Sequence, residues 1–176
     1  MYINWEARLI YLASPRTASV ATSDALLAQA GFARFKGHHG GMERAGSLDR
    51  ASFTTFTTVR NHWDTVISWM FWSRRSPPFS IRDVEKALAE AESWITYHQL
   101  FSLHLNDAQI LWRYETLQQD MDAFLAKYDL VVPPLERRNV SGGRSTKDYH
   151  DYYTPETQAY VAERFKDEIA RLGYTF

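Results

Sequence analysis

RLIYLASPRTASVATSDALLAQAG, residues 8–31, predicts a strand, a tight turn and a helix in succession. The segment 8–13 is apolar and stops at Ser14-Pro15, which is typical of a short buried strand. Residues 20–30 are mostly alanine, leucine and small polar types, and Gly31 is a usual residue at the end of a helix. The polar turn between strand and helix is therefore the first place to look for a ligand site.

The rest of the chain continues the alternation of strands and helices. Further strands are predicted over residues 32–37, 52–59 and 109–114, which are rich in β-branched or aromatic residues. Helices are predicted over residues 61–74, 80–98, 118–128 and 154–173, with Asn61, Ser80 and Thr154 as capping residues. This order predicts an α/β fold: a single three-layer domain over residues 1–176, with a parallel sheet of about four strands flanked by helices.

The composition excludes several classes of function. The 176 residues carry a net charge of −1, so no general field attracts nucleic acid or an anionic membrane. Cysteine is absent, which excludes disulfides and thiolate metal sites, and we expect no metal centre. No stretch approaches the roughly 20 apolar residues of a membrane span. We therefore expect a cytoplasmic protein that binds anions only through locally placed groups.

The turn SPRTAS, residues 14–19, is a candidate anion site. A helix that starts directly after a strand points free N–H groups and the positive end of its dipole outward. Arg16 adds a full charge, Thr17 and Ser19 add hydroxyl donors, and Ala18 keeps the turn small. The alternative is that Ser19 merely caps the helix and Arg16 is solvated. The Walker pattern of ordinary P-loop ATPases and kinases is absent.

A second candidate anion site lies in VRNHWDTVIS, residues 59–68. Arg60 ends a predicted strand, and Ser68 follows about two helical turns later, so the pair can hold a phosphate along the helix flank. The alternative is a capped surface helix with an unrelated arginine. Because the two loops follow the first and third predicted strands, we expect them to face one ligand with two separated phosphates.

These motifs resemble those of the sulfotransferases that use 3′-phosphoadenosine 5′-phosphosulfate (PAPS). The resemblance implies that Pro15, Arg16, Thr17, Ala18 and Ser19 bind the 5′-phosphosulfate. It further implies that Arg60 and Ser68, in a motif with Asn61 and Asp64, bind the 3′-phosphate. WRYETLQQD at 112–120, NVS at 139–141 and the segment 151–176 are similar to later parts of this family, the last to its carbohydrate-type branch. The implied fold is the P-loop NTPase-like sulfotransferase fold. Arg16 departs from the commoner lysine, Val20 from a second hydroxyl residue, and His62 from proline.

FKGHHG, residues 35–40, supplies the candidate catalytic base. It resembles the K-T-H segment of cytosolic family members, which implies His38 as the base and Lys36 as a charge-neutralising group beside Arg16. His39 is the next candidate, and Glu43 is an acidic alternative. Adjacent residues of an extended segment point to opposite sides, so we expect only one of the two histidines to face the site.

The remaining polar candidates are weaker. Arg144, in the loop after NVS, either closes over the 3′-phosphate or adenine or belongs to a solvated loop, as does Lys147. His98 is expected in the core, while His104 and His150 have no partners at metal-ligand spacing.

The expected function is transfer of the sulfuryl group of PAPS to an acceptor hydroxyl, with a histidine base. The acceptor is a glycan or a small molecule: the C-terminal segment favours a sugar, whereas the net charge argues against a long polyanionic glycan. Two alternatives remain, a non-catalytic nucleotide-binding module and a P-loop-like small-molecule kinase.

Overall fold

A computed structural model describes residues 1–89, 91–92, 95–136, 138, 145–146 and 148–176.

The chain divides into two compact units, residues 1–59 with 99–139 and residues 60–98 with 140–176. The predicted single domain over residues 1–176 stays a prediction. In chain order the strands and helices are β1 (Tyr2–Asn4), β2 (Leu9–Leu12), α1 (Ser19–Gln29), β3 (Ala33–Arg34), β4 (Thr54–Val59), α2 (His62–Trp72), α3 (Ile81–Ala89), β5 (Ala91–Glu92), β6 (Ile95–Thr96), α4 (Tyr97–Asp107), β7 (Ile110–Arg113), α5 (Leu117–Leu125), α6 (Pro155–Arg164) and α7 (Lys166–Leu172).

The first unit is built on a five-stranded mixed sheet in the order β3-β1-β2-β4-β7. Strands β2, β4 and β7 run parallel, with Leu12 opposite Thr57 and Val59 opposite Arg113. Strand β1 is antiparallel to both β2 and β3. The predicted α/β class is confirmed. The sheet is mixed and has five strands, where a parallel sheet of about four was predicted, because the additional strand β1 lies antiparallel between β3 and β2.

Strict alternation along β1 and β2 gives the sheet two apolar faces. Tyr2, Leu9 and Tyr11 belong to a core cluster that includes Leu26 of α1 and Met121 of α5. Aromatic rings of Tyr11, Phe56, Trp112 and Phe124 pack against one another in this cluster, with the Phe56 and Trp112 centroids 4.4 Å apart. The intervening residues of the two strands pack on the other face, in a cluster of Met1, Ile3, Ile10, Leu12, Met42, Ala45, Phe53 and Ala108. Burial on both faces explains why β2 is apolar throughout.

The second predicted strand, 32–37, shrinks to the two exposed residues of β3. Lys36 has φ 59° and Gly37 has φ 89°, so the chain leaves the extended region directly after the short strand. The segment that carries the two histidines is therefore a compact loop.

The second unit is helical around one apolar cluster. Trp63, Val66 and Met70 of α2 pack with residues of α3 and α6, among them Val84 and Val161. Helix α2 begins as predicted, because the Asn61 side chain accepts the N–H of Trp63 at 3.0 Å. Helix α6 begins with the predicted Thr154 cap and has a complete capping box.

Two predicted helices of this region differ in the structure. The single helix over 80–98 is wrong: α3 ends at Ala89, the short antiparallel pair β5 and β6 follows, and α4 begins at Tyr97. The side chain of His98 lies outside the described residues. The predicted last helix is divided at Phe165 into α6 and α7, and α7 ends at Gly173, whose φ is +66°.

No described helix of the chain is both long enough and apolar enough to cross a membrane.

The packing of the aromatic rings around Trp112 can be tested by substitution. Trp112 is 1% exposed, and its Nε1 has no hydrogen-bond partner in the described parts of the chain. Trp112→Ala should lower the free energy of unfolding by about 3–5 kcal/mol. Trp112→Phe should cost much less, because it keeps most of the ring contacts and removes a buried N–H that is itself unfavourable by about 1–3 kcal/mol. Urea denaturation measures both, and equal losses would contradict the packing described.

Candidate functional site

The turn after β2 enters α1 through two left-handed residues. Arg16 has φ 61° and Ala18 has φ 60°, a conformation that non-glycine residues rarely adopt. Ala18 is the N-cap of α1 and makes no side-chain cap hydrogen bond, while Ser19 is the first helical residue. Ser19 therefore does not cap the helix, contrary to the simpler interpretation of the sequence. No residue that the structure describes caps the backbone N–H groups of the first turn through its side chain at the N-cap, and such groups are typical donors to anions.

The hydroxyl groups of the turn differ in what they can offer a ligand. Thr17 is buried, and its hydroxyl donates to the Ser14 carbonyl at 2.8 Å, so it stabilises the turn. The Thr17 hydroxyl is therefore occupied within the turn, and donation to a ligand by the Ser19 hydroxyl stays a prediction. Ser19 Oγ lies 3.3 Å from His38 Nε2.

A buried chain of hydrogen bonds anchors the start of the turn. Ser14 Oγ lies 2.8 Å from Thr57 Oγ1 of β4 and 3.3 Å from His104 Nδ1 of α4. Thr57 in turn donates to the Leu12 carbonyl at 2.6 Å. His104 is 0% exposed, and burial lowers its pKa from 6.5 to about 3. Sequence reasoning missed its role, because 90 positions separate His104 from Ser14 and no local pattern joins them.

Both adjacent histidines lie at the turn. The ring centroids of His38 and His39 are 4.3 Å apart, and His39 Nδ1 lies 2.6 Å from the Ala13 carbonyl. His38 Nδ1 lies 2.5 Å from the Tyr2 hydroxyl. The extended backbone assumed for this segment is wrong, because Lys36 and Gly37 have positive φ, and both rings contact the turn. Which ring faces a ligand stays a prediction.

The electrostatics of His38 favour a neutral ring. Burial is the main cause that lowers the pKa of His38 from 6.5 to about 3, followed by the neighbouring His39. A neutral imidazole has one donor and one acceptor nitrogen, so it can accept a proton only at the second.

The other two candidates of this loop make contacts with residues other than the histidines. Lys36 is exposed, with its Nζ 5.4 Å from the centre of the Phe35 ring, and it makes no hydrogen bond or ion pair with a described residue. Glu43 accepts a hydrogen bond from Gly41 N–H at 3.3 Å and lies 3.7 Å from Arg44 Nε. None of these contacts brings Lys36 or Glu43 to Ser19.

In the second unit Arg60 is held by a carboxylate. Arg60 Nε and Nη2 donate to Asp64 Oδ2 at 2.8 and 2.6 Å, and Arg60 is only 7% exposed. Ser68 is also buried, on the same helix as Asp64. The Asn61 amide group donates to Tyr149 Oη and to the Thr175 carbonyl. Asn61 and Asp64 of the predicted phosphate motif thus have structural roles here.

Part of the predicted site lies outside the described residues. This applies to Arg144, to Lys147 and to the NVS segment at 139–141. The convergence of the two predicted loops on one ligand stays a prediction. Within the described part of the chain, no cluster of three or more His, Cys, Asp or Glu side chains could hold a metal ion.

Comparisons with known protein families, with curated proteins and with solved structures find no match to this chain.

The histidine loop depends on Gly40. A Cβ at Gly40 would lie 2.4 Å from the Lys36 carbonyl oxygen, a backbone atom that cannot move alone. Gly40→Ala should therefore displace the loop, change the ring NMR signals of His38 and His39, and cost more than about 1 kcal/mol of stability. Gly46→Ala is the control, since its Cβ would meet nothing within 4 Å and only its φ of +63° is unfavourable. Unchanged histidine signals in Gly40→Ala would contradict this geometry.

Burial of His104 generates a pH dependence. Its pKa is about 3 in the folded protein, against the ordinary value of 6.5 for a solvated histidine, so below pH 6.5 the unfolded chain binds a proton that the folded chain does not. Stability should therefore fall with falling pH, by about 1.4 kcal/mol per pH unit for this histidine. In His104→Gln, urea denaturation at about pH 7 and about pH 5 should show a shallower fall. An unchanged slope would contradict the buried neutral ring.

Proposed function

We propose that the protein is a PAPS-dependent sulfotransferase, which moves the sulfuryl group to an acceptor hydroxyl. The observation that carries the proposal is the Pro15–Ser19 turn, which leads from a parallel strand into an uncapped helix N-terminus beside two histidines. The turn sequence has no Walker lysine or glycine pattern, and it resembles the 5′-phosphosulfate loop of these enzymes.

The turn fits the anionic end of the donor. Backbone N–H groups of the first turn of α1 and the Ser19 hydroxyl are donors, and the helix dipole adds positive potential. The Arg16 side chain would add a full charge, which strengthens hydrogen bonds to phosphate and sulfate oxygens. When bound, the donor supplies an activated sulfuryl group with a phosphate as leaving group.

The chemistry of the step needs a proton acceptor and charge stabilisation. The acceptor oxygen forms a bond to sulfur while the bond between sulfur and the 5′-phosphate oxygen breaks, in line. The acceptor proton goes to a histidine of the 38–39 pair, with His38 the residue implied by the family resemblance. Arg16 and the turn amides stabilise the charge that grows on the leaving phosphate, and Lys36 would act through its charge alone.

The remaining donor contacts are proposed from the resemblance. Arg60 and Ser68 hold the 3′-phosphate, and Arg144 contacts the same phosphate or the adenine. In the structure both side chains are buried within the second unit, and Arg60 is paired with Asp64. The acceptor is proposed to be a sugar or small-molecule hydroxyl.

Calorimetry with 3′,5′-phosphoadenosine, AMP and ATP tests the donor class. We expect a preference for 3′,5′-phosphoadenosine over AMP of about tenfold or more, since a phosphate held by charged donors contributes about 1.5–3 kcal/mol. Equal affinities would end the assignment of a 3′-phosphate site, and a preference for ATP would favour the small-molecule kinase.

The 3′-phosphate site is tested by Ser68→Ala. It should reduce the preference for 3′,5′-phosphoadenosine over AMP by about tenfold, because one charge-assisted hydrogen bond is lost. Ser73→Ala on the same stretch is the control, since Ser73 Oγ donates to the Trp69 carbonyl at the end of α2. A preference that survives in Ser68→Ala would remove Ser68 from the site.

Transfer itself is measured with labelled PAPS against glycans, phenols, alcohols and lipids. Binding of the nucleotide without transfer to any hydroxyl would favour the non-catalytic nucleotide-binding module.

A further inference from the structure

The direction of the hydrogen bond between Tyr2 and His38 can be deduced. Tyr2 is 2% exposed, and in the part of the chain that the structure describes its hydroxyl has one partner, His38 Nδ1 at 2.5 Å. A buried O–H without an acceptor is unfavourable, so the hydroxyl donates and Nδ1 accepts. In a neutral imidazole the hydrogen then resides on Nε2. The low pKa of His38 keeps the ring neutral near pH 7.

The same reasoning extends to Ser19. His38 Nε2–H has Ser19 Oγ as its acceptor at 3.3 Å. The serine is 5% exposed, and its own hydroxyl hydrogen has no acceptor among the described residues. It is the first residue of α1, where the N–H groups also lack partners within the helix. The Ser19 hydroxyl hydrogen is thus left for a ligand at the helix N-terminus.

His39 has the opposite arrangement. Its Nδ1 lies 2.6 Å from the Ala13 carbonyl oxygen, which can only accept a hydrogen bond. Nδ1 therefore carries the hydrogen, and in the neutral ring Nε2 is the nitrogen that can take up a proton. In a histidine that acts as a base, a hydrogen bond from Nδ1–H to an acceptor fixes the tautomer and the orientation of the ring.

We propose that the two histidines have different roles. Tyr2 and His38 position the Ser19 hydroxyl so that it donates a hydrogen bond to the phosphosulfate of PAPS. His39 Nε2 takes up the proton of the hydroxyl group that attacks the sulfur. Tyr2 and His38 are then positioning residues, and His39 is the catalytic base. The assignment rests on the proposed sulfotransferase function, and it moves the base from His38, which the family motif implies, to its neighbour.

The tautomers are tested without any ligand. Long-range ¹H–¹⁵N NMR of histidine-labelled protein near pH 7 distinguishes a protonated ring nitrogen from an unprotonated one. His38→Gln and His39→Asn spectra assign the signals. We expect the hydrogen on Nε2 of His38 and on Nδ1 of His39. A hydrogen on Nδ1 of His38 would overturn the proposal.

Ligand affinity tests the positioning role. Tyr2→Phe should weaken 3′,5′-phosphoadenosine binding by about three- to tenfold, because the ring of His38 is no longer held and the serine hydroxyl loses its orientation. His38→Gln keeps a donor near the Nε2 position and should retain most of the affinity, whereas His38→Ala should not. Tyr11→Phe is the matched control on the same sheet face, and it should bind as the wild type does. Equal binding by Tyr2→Phe and Tyr11→Phe would overturn the positioning role.

Turnover tests the base. His39→Asn keeps a donor for the Ala13 carbonyl and removes the basic nitrogen, so it should retain affinity but lower kcat by about 10²–10⁴-fold. Loss of turnover in His38→Gln with normal turnover in His39→Asn would overturn the assignment. If the wild type binds no 3′,5′-phosphoadenosine, the proposed function fails and the division of roles with it. Binding with the wrong tautomers would end only the division of roles.

Discussion

The hydroxyl of Ser14 fixes the candidate site to the sheet, and the geometry of the turn depends on it. Ser14 follows β2 by two residues, and its Oγ bonds to Thr57 of the neighbouring parallel strand and to His104 of α4. All three side chains are buried, so these hydrogen bonds replace contacts with water that burial has removed. These bonds anchor the start of the turn, and the left-handed residues Arg16 and Ala18 lead the chain from there into α1.

Local signals predict the elements that carry the site. Local composition predicts the conformation of β2, which is apolar, of β4, which is β-branched, and of α1, which is rich in alanine. The structure has the ends of these elements within one or two residues of the prediction. The caps of α2 and α6 are predictable for the same reason, since Asn61 and Thr154 bond to backbone groups two or three residues away. Signals of this range need no knowledge of the rest of the chain.

The features that sequence reasoning misses depend on distant partners. Strand β1 has only three residues, and its pairing with β2 and β3 gives it its conformation. The histidine segment looks extended because its residues suit a strand, but positive φ at Lys36 and Gly37 folds it back against Ala13. The predicted helix over 80–98 fails differently: its apolar period continues through a break at Ala89 that periodicity alone does not reveal.

The roles proposed for the two histidines depend on single atoms, which sequence does not reveal. His38 and His39 are identical in type and adjacent in sequence, so no pattern separates the ring proposed to position Ser19 from the ring proposed as the base. Their partners separate them, because a tyrosine hydroxyl donates and a peptide carbonyl accepts. The tautomer of each ring is thus a property of the tertiary structure.

Because of the hydrogen bonds around Ser14 and His38, the turn cannot be transferred to another protein by itself. Ser14 is joined to residues 43 and 90 positions away, and Tyr2 to a residue 36 positions away. Contacts of such long range form only after much of the chain is ordered. Grafting residues 13–22 onto another strand–helix scaffold would transfer the sequence of the turn without the residues that orient the Ser19 hydroxyl. An engineer who wants this turn geometry must carry over the first strand, the histidine loop and the end of α4 as well.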